Sequence, residues 1–377
     1  MSVVIVSNNM LDSTVQPLGN INGLKSSQDW VLFLDFTKER YLKKINNVPE
    51  DITLLQALTA EHNFQIGDYA TPKTMLRDGT MKDVATNDEI RTWLSPQGNF
   101  GVLTEPLSNN SLVSPFSPIS RTASLPPAIA HMASVLGAGS MTITGDNIQG
   151  SPIKVTESGG PIQIKTINPT GLTPVSIAVD NLQHYQIGTY EGFAIGTTPI
   201  GSGTVARARK ADSLKINPNL LSNLQLGTDY TIILQQDTAY ARRGNATTAN
   251  SNESRLVVET NTHRLTLGVN RNGTENTGQT RGVRIVNTLL SGTAAGSSGG
   301  PLEANDDHLE NFAYKVTSNE IKGFGSKQSG IAQVSNVSGN QVLNIYLGSG
   351  KFIATKLVVY KRALTDAEIV AAVSSWL

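Results

Sequence analysis

One segment of the chain has the residue types of a serine nucleophile. Ser297-Ser298-Gly299-Gly300-Pro301-Leu302 sets serines among glycines, and a histidine, His62, stands far upstream. Acyl transfer by serine needs a histidine base, a buried acid that orients the imidazole, and an oxyanion hole. Ser297 stands where an acid would precede the nucleophile, and Gly-Ser runs are typical of loops. We therefore interpret Gly292–Gly300 as a loop without a catalytic residue.

No two histidines of the chain have the spacing that is typical of metal ligands. The chain has five of them, and none forms a pair such as His-x-x-x-His: His62, His131, His184, His263 and His308. Asn305-Asp306-Asp307-His308 is an acidic cluster of the kind whose oxygens can bind calcium, but it lacks EF-hand spacing. The sequence favours a solvated loop there, with calcium as the alternative, and predicts no other cofactor.

A retaining glycosidase would need two carboxylates about 5.5 Å apart. On a strand, a Glu-x-Asp or Glu-x-Glu pattern would meet this need because alternate residues share a face. The chain offers Asp35 near Glu39 and Asp366 near Glu368, neither in a strand motif of that kind. Asp366 and Glu368 fit better as acids at a helix start, so the sequence predicts no catalytic residues.

Aromatic side chains can stack on sugar rings. The tyrosines Tyr185 and Tyr190 lie in apolar surroundings, whereas Trp93 and Tyr240 lie in polar stretches of the sequence. Trp93 and Tyr240 are therefore the two candidate glycan-stacking residues, with core packing as the alternative for each.

Charge and composition exclude several classes of function. The chain has 377 residues, with 30 basic and 30 acidic side chains and no cysteine. The absence of cysteine excludes disulfides, thiolate zinc sites and cysteine nucleophiles.

Nucleic-acid binding is not expected either, because aromatic residues do not alternate with the basic residues of the two basic runs, Arg207-Ala-Arg209-Lys210 and Arg242-Arg243. No window approaches 18 apolar residues, and the run Val3–Val6 is too short for an export signal, so neither membrane insertion nor export is predicted.

The elements that must position any site are mostly β-strands. Trp30–Phe36 is an apolar run typical of a buried strand, and Asp78-Gly79 indicates a tight hairpin turn. Leu54, Leu55 and Leu58 recur at helical spacing and predict a short helix within Glu50–His62. Thr365-Asp-Ala-Glu368 is a capping box, followed by the apolar face of a helix: Ile369, Val370 and Val373.

The spacing of short strands divides the chain. Period-two runs between residues 117 and 205, such as Ser140–Thr144 and Val175–Val179, predict a small sandwich. Strand patterns resume after residue 206, including Tyr230–Leu234 and Lys356–Tyr360, while Asn245–Ser254 is interpreted as a loop. We predict an N-terminal arm over 1–30, one discontinuous domain over 31–116 and 206–377, and an inserted β-sandwich over 117–205.

Several blocks, taken in order, resemble a known family. Four blocks carry the resemblance, two before the predicted inserted sandwich and two after it. They are Leu32–Phe36; Thr71–Asn110 with its strand Gly101-Val-Leu-Thr-Glu105; Ala208–Ile216; and Tyr346–Gly348 with Ile353–Glu368. Together they resemble concanavalin A-like (laminin G-like) jelly rolls, and the first two resemble the version found in tailed-phage virion proteins. The resemblance implies an all-β fold: a concanavalin A-like jelly-roll sandwich interrupted by a smaller β-sandwich and preceded by an extended arm.

The resemblance also implies a function. It indicates a non-enzymatic virion surface protein, made in the host cytoplasm, most simply a capsid decoration protein or head fibre. Its expected partners are the major capsid protein or tail proteins of the same virion, further copies of itself in a homo-oligomer, and a cell-surface glycan. A tail fibre or spike adhesin that binds host polysaccharide is the alternative, and a polysaccharide-degrading enzyme is the third possibility. Residues 1–30 are the candidate anchor.

Overall fold

The computed structural model describes much of the chain after the first 28 residues. The described residues are 29–60, 73–86, 88–95, 97–104, 108–110, 112, 117–127, 130–159, 162–167, 170–189, 207–209, 213–237, 251–272, 280–290, 294–299, 303–304, 309–325, 332–335, 341–348 and 352–375. Residues 1–28 of the predicted arm lie outside these ranges.

Strands dominate the described residues. In the first part of the chain they are β1 Trp30–Asp35, β2 Arg40–Ile45, β3 Val48–Asp51, β4 Leu58–Ala60, β5 Lys73–Met75, β6 Met81–Asp83, β7 Thr92–Leu94, β8 Phe100–Thr104 and β9 Ser108–Asn110. In the middle they are β10 Arg121–Leu125, β11 Ala130–Leu136, β12 Ser140–Thr144, β13 Ile153–Thr156, β14 Ile162–Lys165, β15 Thr173–Asp180 and β16 His184–Thr189.

The remaining strands follow the small sandwich. They are β17 Arg207–Arg209, β18 Leu214–Ile216, β19 Tyr230–Asp237, β20 Ser251–Thr260, β21 His263–Asn272, β22 Thr280–Leu289, β23 Ala294–Gly299, β24 Glu303–Ala304, β25 Leu309–Val316, β26 Glu320–Gly325, β27 Ala332–Ser335, β28 Val342–Leu347 and β29 Phe352–Tyr360. The helices are α1 Leu54–Ala57, α2 Pro218–Leu224 and α3 Asp366–Ser375. No described helix has the length and apolar character needed to cross a membrane.

The two ends of the described chain meet in one ten-stranded sheet, which we call sheet A. Its main order is β27-β26-β25-β19-β29-β1-β2-β3, with β7 and β8 attached beside β29. Strand β29 pairs with β1 through Leu32 and Val359, Phe33 and Val358, and Leu34 and Leu357. It pairs with β19 on its other side. The C-terminal strand β29 therefore lies directly beside β1 in the same sheet.

A second, eight-stranded sheet, which we call sheet B, completes the large sandwich. Its main order is β23-β22-β21-β20-β28-β18-β4. Alternate side chains of both sheets fill one shared apolar core, as the burial of Leu34, Leu234, Val258 and Ile345 illustrates. The chain passes between the sheets repeatedly, for instance from β28 to β29. This wrapping of antiparallel strands confirms the predicted all-β sandwich of jelly-roll type.

The middle of the chain forms two smaller antiparallel sheets around their own core. Their orders are β10-β15-β12-β13 and β14-β11-β16. Met141, Ile143, Val175 and Ile177 are among the buried residues between them. The strands that lead into and out of this region, β9 and β17, pair with each other. The exact domain boundaries given above stay a prediction.

Two helices cover apolar surface that the strands leave open. Helix α2 buries Leu220, Leu221 and Leu224 in the core of the large sandwich and lies against β2, β18 and β28, so it closes one side between the sheets. Helix α3 packs on the outer face of sheet A, where Ile369 and Ala372 join a second cluster with Leu364. Val370 was expected on the apolar face but is 50% exposed. The Val373 side chain lies outside the described set.

Three local predictions need correction. Helix α1 ends at Ala57 because Leu58 enters β4, where it pairs with Ile216. Ala294–Gly299 is strand β23, paired with β22, so Gly292–Gly300 is not simply a loop. Ser251–Ser254 likewise belongs to β20. Leu58 pairs with a strand far away in sequence, whereas β23 and the start of β20 pair with the strands next to them along the chain, β22 and β21. In each case strand pairing overrides the local sequence preference.

The predicted capping box forms at the start of α3. The Thr365 hydroxyl oxygen accepts the backbone N–H of Glu368 at 3.2 Å, and the Glu368 carboxylate accepts the N–H of Thr365 at 2.7 Å. We expect Thr365→Ala to lower the free energy of unfolding by about 1 kcal/mol, because an N–H of the first helical turn loses its acceptor. Urea denaturation measures this. Thr365→Ser keeps the hydroxyl and should stay close to wild type; equal losses in both variants would contradict the capping role.

Candidate functional site

The outer face of sheet B carries a connected group of polar side chains. We call it the Glu259 cluster, and it comprises Lys215, Glu259, Arg264, Asn344 and Tyr346. These residues come from the neighbouring strands β18, β28, β20 and β21. The cluster therefore spans four adjacent strands of one sheet.

Strand alternation explains why these side chains point outward. Leu256 and Val258 of β20 and Ile345 and Leu347 of β28 belong to the core. The residues between and beside them must therefore face away from the core. Glu259 lies directly opposite Asn344 in the pairing of the two strands, which brings residues distant in sequence together.

Glu259 is the centre of the hydrogen bonding. Its Oε2 accepts the amide N–H of Asn344 at 3.2 Å and the hydroxyl of Tyr346 at 3.0 Å. Its Oε1 lies 3.8 Å from Nε of Arg264. The Lys215 ammonium lies 5.9 Å from the centroid of the Tyr346 ring, near the outer limit of a cation–π contact. The carboxylate is thus held in a fixed orientation.

Exposure leaves this group open to a ligand. The Arg264 side chain is 56% exposed and that of Glu259 is 22% exposed. Asn344 and Tyr346 are half-buried. A carboxylate, an amide, a guanidinium and a phenol ring on an exposed surface supply both donors and acceptors for sugar hydroxyls, together with an aromatic surface.

A second polar feature lies at one end of the large sandwich. We call it the end cleft; its volume is about 690 Å³, and its lining includes Asp29, Lys44, Asn223, Gln225 and Arg362. It forms where β1 begins, β2 turns into β3, α2 ends and β29 leads into α3. Such a volume falls within the range of ligand pockets.

Arg362 joins the two termini of the described chain beside this cleft. Its Nε donates to Asp29 at 2.7 Å, while Nη1 and Nη2 donate to the two oxygens of Glu368 at 3.0 and 2.8 Å. The bidentate contact holds the pKa of Glu368 at about 2. Glu368 is thereby committed to the ion pair and the capping box.

The other carboxylates considered for glycosidase chemistry also have structural contacts. The Asp366 carboxylate forms ion pairs with two lysines: Oδ1 lies 2.7 Å from Nζ of Lys315, and Oδ2 lies 3.4 Å from Nζ of Lys322. Asp35 accepts the backbone N–H of Lys38 at 3.1 Å and the hydroxyl of Thr37 at 2.5 Å, within the β1–β2 turn. Glu39 lies 3.8 Å from the guanidinium of Arg77, so each of these carboxylates has a polar contact within the fold.

The structure also locates the predicted stacking residues. Trp93 on β7 is 6% exposed and packs with Leu103 and Ile353, with Met75 against them. A sugar ring would have to displace that packing to stack on Trp93, so this assignment stays a prediction that the burial does not favour. Tyr240 lies outside the described residues. Tyr185 is fully buried, as expected of a core residue.

The histidines and acids show no grouping that could hold a metal within the part of the chain that the structure describes. His131, His184 and His263 start or lie within separate strands. His62 and the segment 305–308, the calcium alternative, lie outside the described residues. The Ser298 backbone belongs to β23, and its side chain is not described.

Sequence reasoning missed the Glu259 cluster. The run Val342-Leu-Asn-Ile-Tyr-Leu347 forms strand β28, and its alternation places Asn344 and Tyr346 on one face. That pattern was the available signal. The partner Glu259 is 87 residues away from Tyr346 in sequence, and only the β20–β28 pairing brings them together.

Comparisons with known proteins give structural similarities only. No protein-family model and no curated protein sequence matches the chain. Domain 4 of AbnA, a GH43 extracellular arabinanase from Geobacillus stearothermophilus solved in complex with arabinotriose, is 12% identical, with a TM-score of 0.30 over 43% of this chain and 73% of that one.

Two further solved structures are similar over larger parts of the chain. Domains LG4-5 of the mouse laminin alpha1 chain are 10% identical, with a TM-score of 0.24 over 74% of this chain and 96% of that one. A bifunctional GH43-CE protein of Bacteroides eggerthii is 10% identical, with a TM-score of 0.27 over 92% of this chain and 56% of that one. The assignment to the all-β sandwich class rests on the strand pairings described above.

Proposed function

We propose that this protein is a non-enzymatic, glycan-binding component of a phage virion surface. The observation that carries the glycan-binding part is the Glu259 cluster: an oriented carboxylate with an amide, a guanidinium and a phenol ring on an exposed sheet face. Sugars are bound through their hydroxyls by such planar polar groups and through their ring faces by aromatic side chains.

The virion part of the proposal is supported by the ordered sequence blocks that resemble tailed-phage proteins. Capsid decoration or a head fibre is our first assignment, because the 377 residues contain no heptad or fibrous repeat. Residues 1–30 are proposed as the anchor to the major capsid protein or a tail protein. Self-association as a homo-oligomer belongs to the same proposal, and a tail fibre adhesin is the second candidate.

Particle localisation tests the virion assignment. Antibodies against the folded chain, imaged by electron microscopy on intact particles, should label the capsid surface. Label confined to the tail would favour the adhesin assignment. Particles that lack the chain altogether would overturn the virion assignment, and the glycan-binding experiment below would still stand on its own.

Glycan binding is tested by changing the cluster. We expect Glu259→Gln to weaken binding of the best glycan from an array by about tenfold, because hydrogen bonds to a charged group contribute roughly 1.5–3 kcal/mol. Tyr346→Ala should weaken it by a similar factor through loss of the ring. Titration calorimetry measures both, and Lys154→Gln, an exposed change on β13, serves as the matched control.

Two results would contradict this site. One is the absence of binding to every glycan on the array. The other is full affinity in both cluster variants. Release of new reducing ends from the bound polysaccharide would instead favour the enzyme alternative over a binding protein.

A further inference from the structure

Strand β28 contains a β-bulge beside the Glu259 cluster. Glu259 is paired with Asn344, and the next residue of β20, Thr260, is paired with Val342, so Leu343 is an extra residue in β28. In a bulge of this kind, two residues of one strand lie opposite one residue of the partner strand. Leu343 and Asn344 therefore both lie opposite Glu259.

The bulge changes the alternation of side chains along β28. Val342 and Ile345 both belong to the core of the large sandwich, although residues an odd number apart in a regular strand point to opposite faces. The two residues between them, Leu343 and Asn344, therefore both face away from the core, and the Leu343 side chain is 47% exposed. The bulge thus adds an exposed leucine to the face of sheet B that carries the Glu259 cluster.

The groups next to Leu343 can bind sugar hydroxyls. The amide of Asn344 and the hydroxyl of Tyr346 donate to Oε2 of Glu259 at 3.2 and 3.0 Å. A carboxylate has acceptor sites for about four hydrogen bonds, so Glu259 can accept further bonds from a ligand. An apolar side chain and hydroxyl-binding groups therefore lie side by side.

The spacing of these residues fits one sugar residue. Leu343 and Tyr346 are separated by at most about 10 Å along β28, because a strand rises by about 3.3 Å per residue. Glu259 lies across from the middle of this stretch, through its pairing with Asn344. A single pyranose ring with its substituents can therefore contact Leu343, Glu259 and Tyr346 at once.

We propose that the Glu259 cluster selects a sugar that carries a methyl group, with ring hydroxyls bound by Glu259 and Asn344 and the methyl group packed against Leu343. A 6-deoxyhexose and an N-acetylhexosamine both have this chemistry. Contact with Leu343 removes a methyl group from water at a gain, whereas a hydroxyl at the same position would lose hydrogen bonds to water. This inference rests on the proposed glycan binding by the same cluster and adds the class of sugar.

Matched pairs of monosaccharides test the proposal on the full-length chain. L-fucose and L-galactose differ only at the sixth carbon, where a methyl group stands in place of a hydroxymethyl group, and L-rhamnose and L-mannose differ in the same way. N-acetylglucosamine and glucose form the third pair, which tests an acetyl methyl group. In NMR titrations we expect the methyl-bearing member of at least one pair to bind at least about fourfold more tightly, equivalent to about 0.8 kcal/mol. The proposal is overturned if no pair shows this preference.

Substitution of the leucine assigns the preference to the bulge. Leu343→Ser should reduce the ratio of the two affinities to about one, by weakening the methyl-bearing sugar and leaving its partner sugar unchanged. The matched control is Leu76→Ser in the β5–β6 turn, where the leucine is 43% exposed, and it should keep the wild-type ratio. An unchanged ratio in Leu343→Ser would overturn the role of Leu343.

Further results separate this inference from glycan binding itself. Glu259→Gln should weaken both members of a pair by a similar factor, because both carry the hydroxyls that the carboxylate binds. If array glycans bind but no pair shows a methyl preference, only the inference about the sugar class fails. If neither array glycans nor monosaccharides bind, the proposed glycan binding fails with it.

Analytical ultracentrifugation tests another role for the exposed leucine. We expect Leu343→Ser to sediment as the wild-type protein does. A change in oligomeric state in this variant, together with an unchanged ratio of sugar affinities, would assign Leu343 to a contact between copies of the chain and overturn its role in sugar selection.

Discussion

Leu34→Ala should remove about 2–5 kcal/mol from the free energy of unfolding of the large sandwich. Leu34 is fully buried in the shared core and stands opposite Leu357 in the β1–β29 pairing. Truncation removes apolar contacts and leaves a cavity that neighbouring strands on both sides of β1 prevent from collapsing. Because this pairing joins the two ends of the described chain, the loss should affect the sandwich as a whole.

Urea denaturation followed by tryptophan fluorescence measures the effect of Leu34→Ala, and Trp30 on the same strand is a suitable reporter. The control is Leu55→Ala on α1, where the side chain is 66% exposed. That control should change the free energy of unfolding by less than about 0.5 kcal/mol. Similar losses in both variants would contradict the position of β1 at the centre of sheet A.

Acidification should destabilise the small sandwich through His131. The imidazole is fully buried, on the face of β11 that carries the core residues Ala133 and Val135. Desolvation lowers its pKa from 6.5 to about 4, which the backbone of Pro126 partly opposes. The folded state therefore favours neutral His131, whereas the unfolded state takes up a proton near pH 6.5.

The sign of the pH dependence follows from this difference. Between about pH 6.5 and 4 the unfolded state binds more protons, so stability falls as the pH falls through this window. We expect a loss of about 2–3 kcal/mol on going from about pH 7.5 to about pH 4, in addition to the contributions of other groups.

His131→Gln supplies the comparison, because glutamine does not titrate. Urea denaturation over the same pH range should show a shallower decline in this variant than in the wild type. If the variant does not fold, the NMR titration of His131 in the wild-type protein decides the question. A midpoint near 6.5, or identical pH dependence in the variant, would contradict the expected destabilisation.

Local rules predicted many elements well. The apolar run Trp30–Phe36 predicts a buried strand, and β1 occupies Trp30–Asp35. The Asp78-Gly79 turn forms with Gly79 at a φ of 86°. The capping box at Thr365 needs only neighbouring residues. In each case the interactions that determine the element lie within a few residues of one another.

Elements that depend on pairing with another strand were predicted less well. The leucines of Leu54–Leu58 have helical spacing, yet Leu58 belongs to strand β4, where it pairs with Ile216 of β18. The Gly-Ser-rich segment Ala294–Gly299 has the composition of a loop but pairs with β22. Backbone hydrogen bonds to an existing strand outweigh weak local propensities.

The sequence by itself determined the all-β class, the strand at Lys356–Tyr360 with the helix that begins after Thr365, and the chemistry that the absence of cysteine excludes. The tertiary structure decided which polar residues share a surface. Glu259 meets Tyr346 only because β20 pairs with β28, and Asp29 meets Arg362 only because β1 lies beside β29. Trp93, polar in its sequence neighbourhood, is buried by Leu103 and Ile353. Periodicity specifies which face of a strand a residue occupies, whereas strand order specifies what lies next to that face, and strand order is set by packing across the whole sandwich.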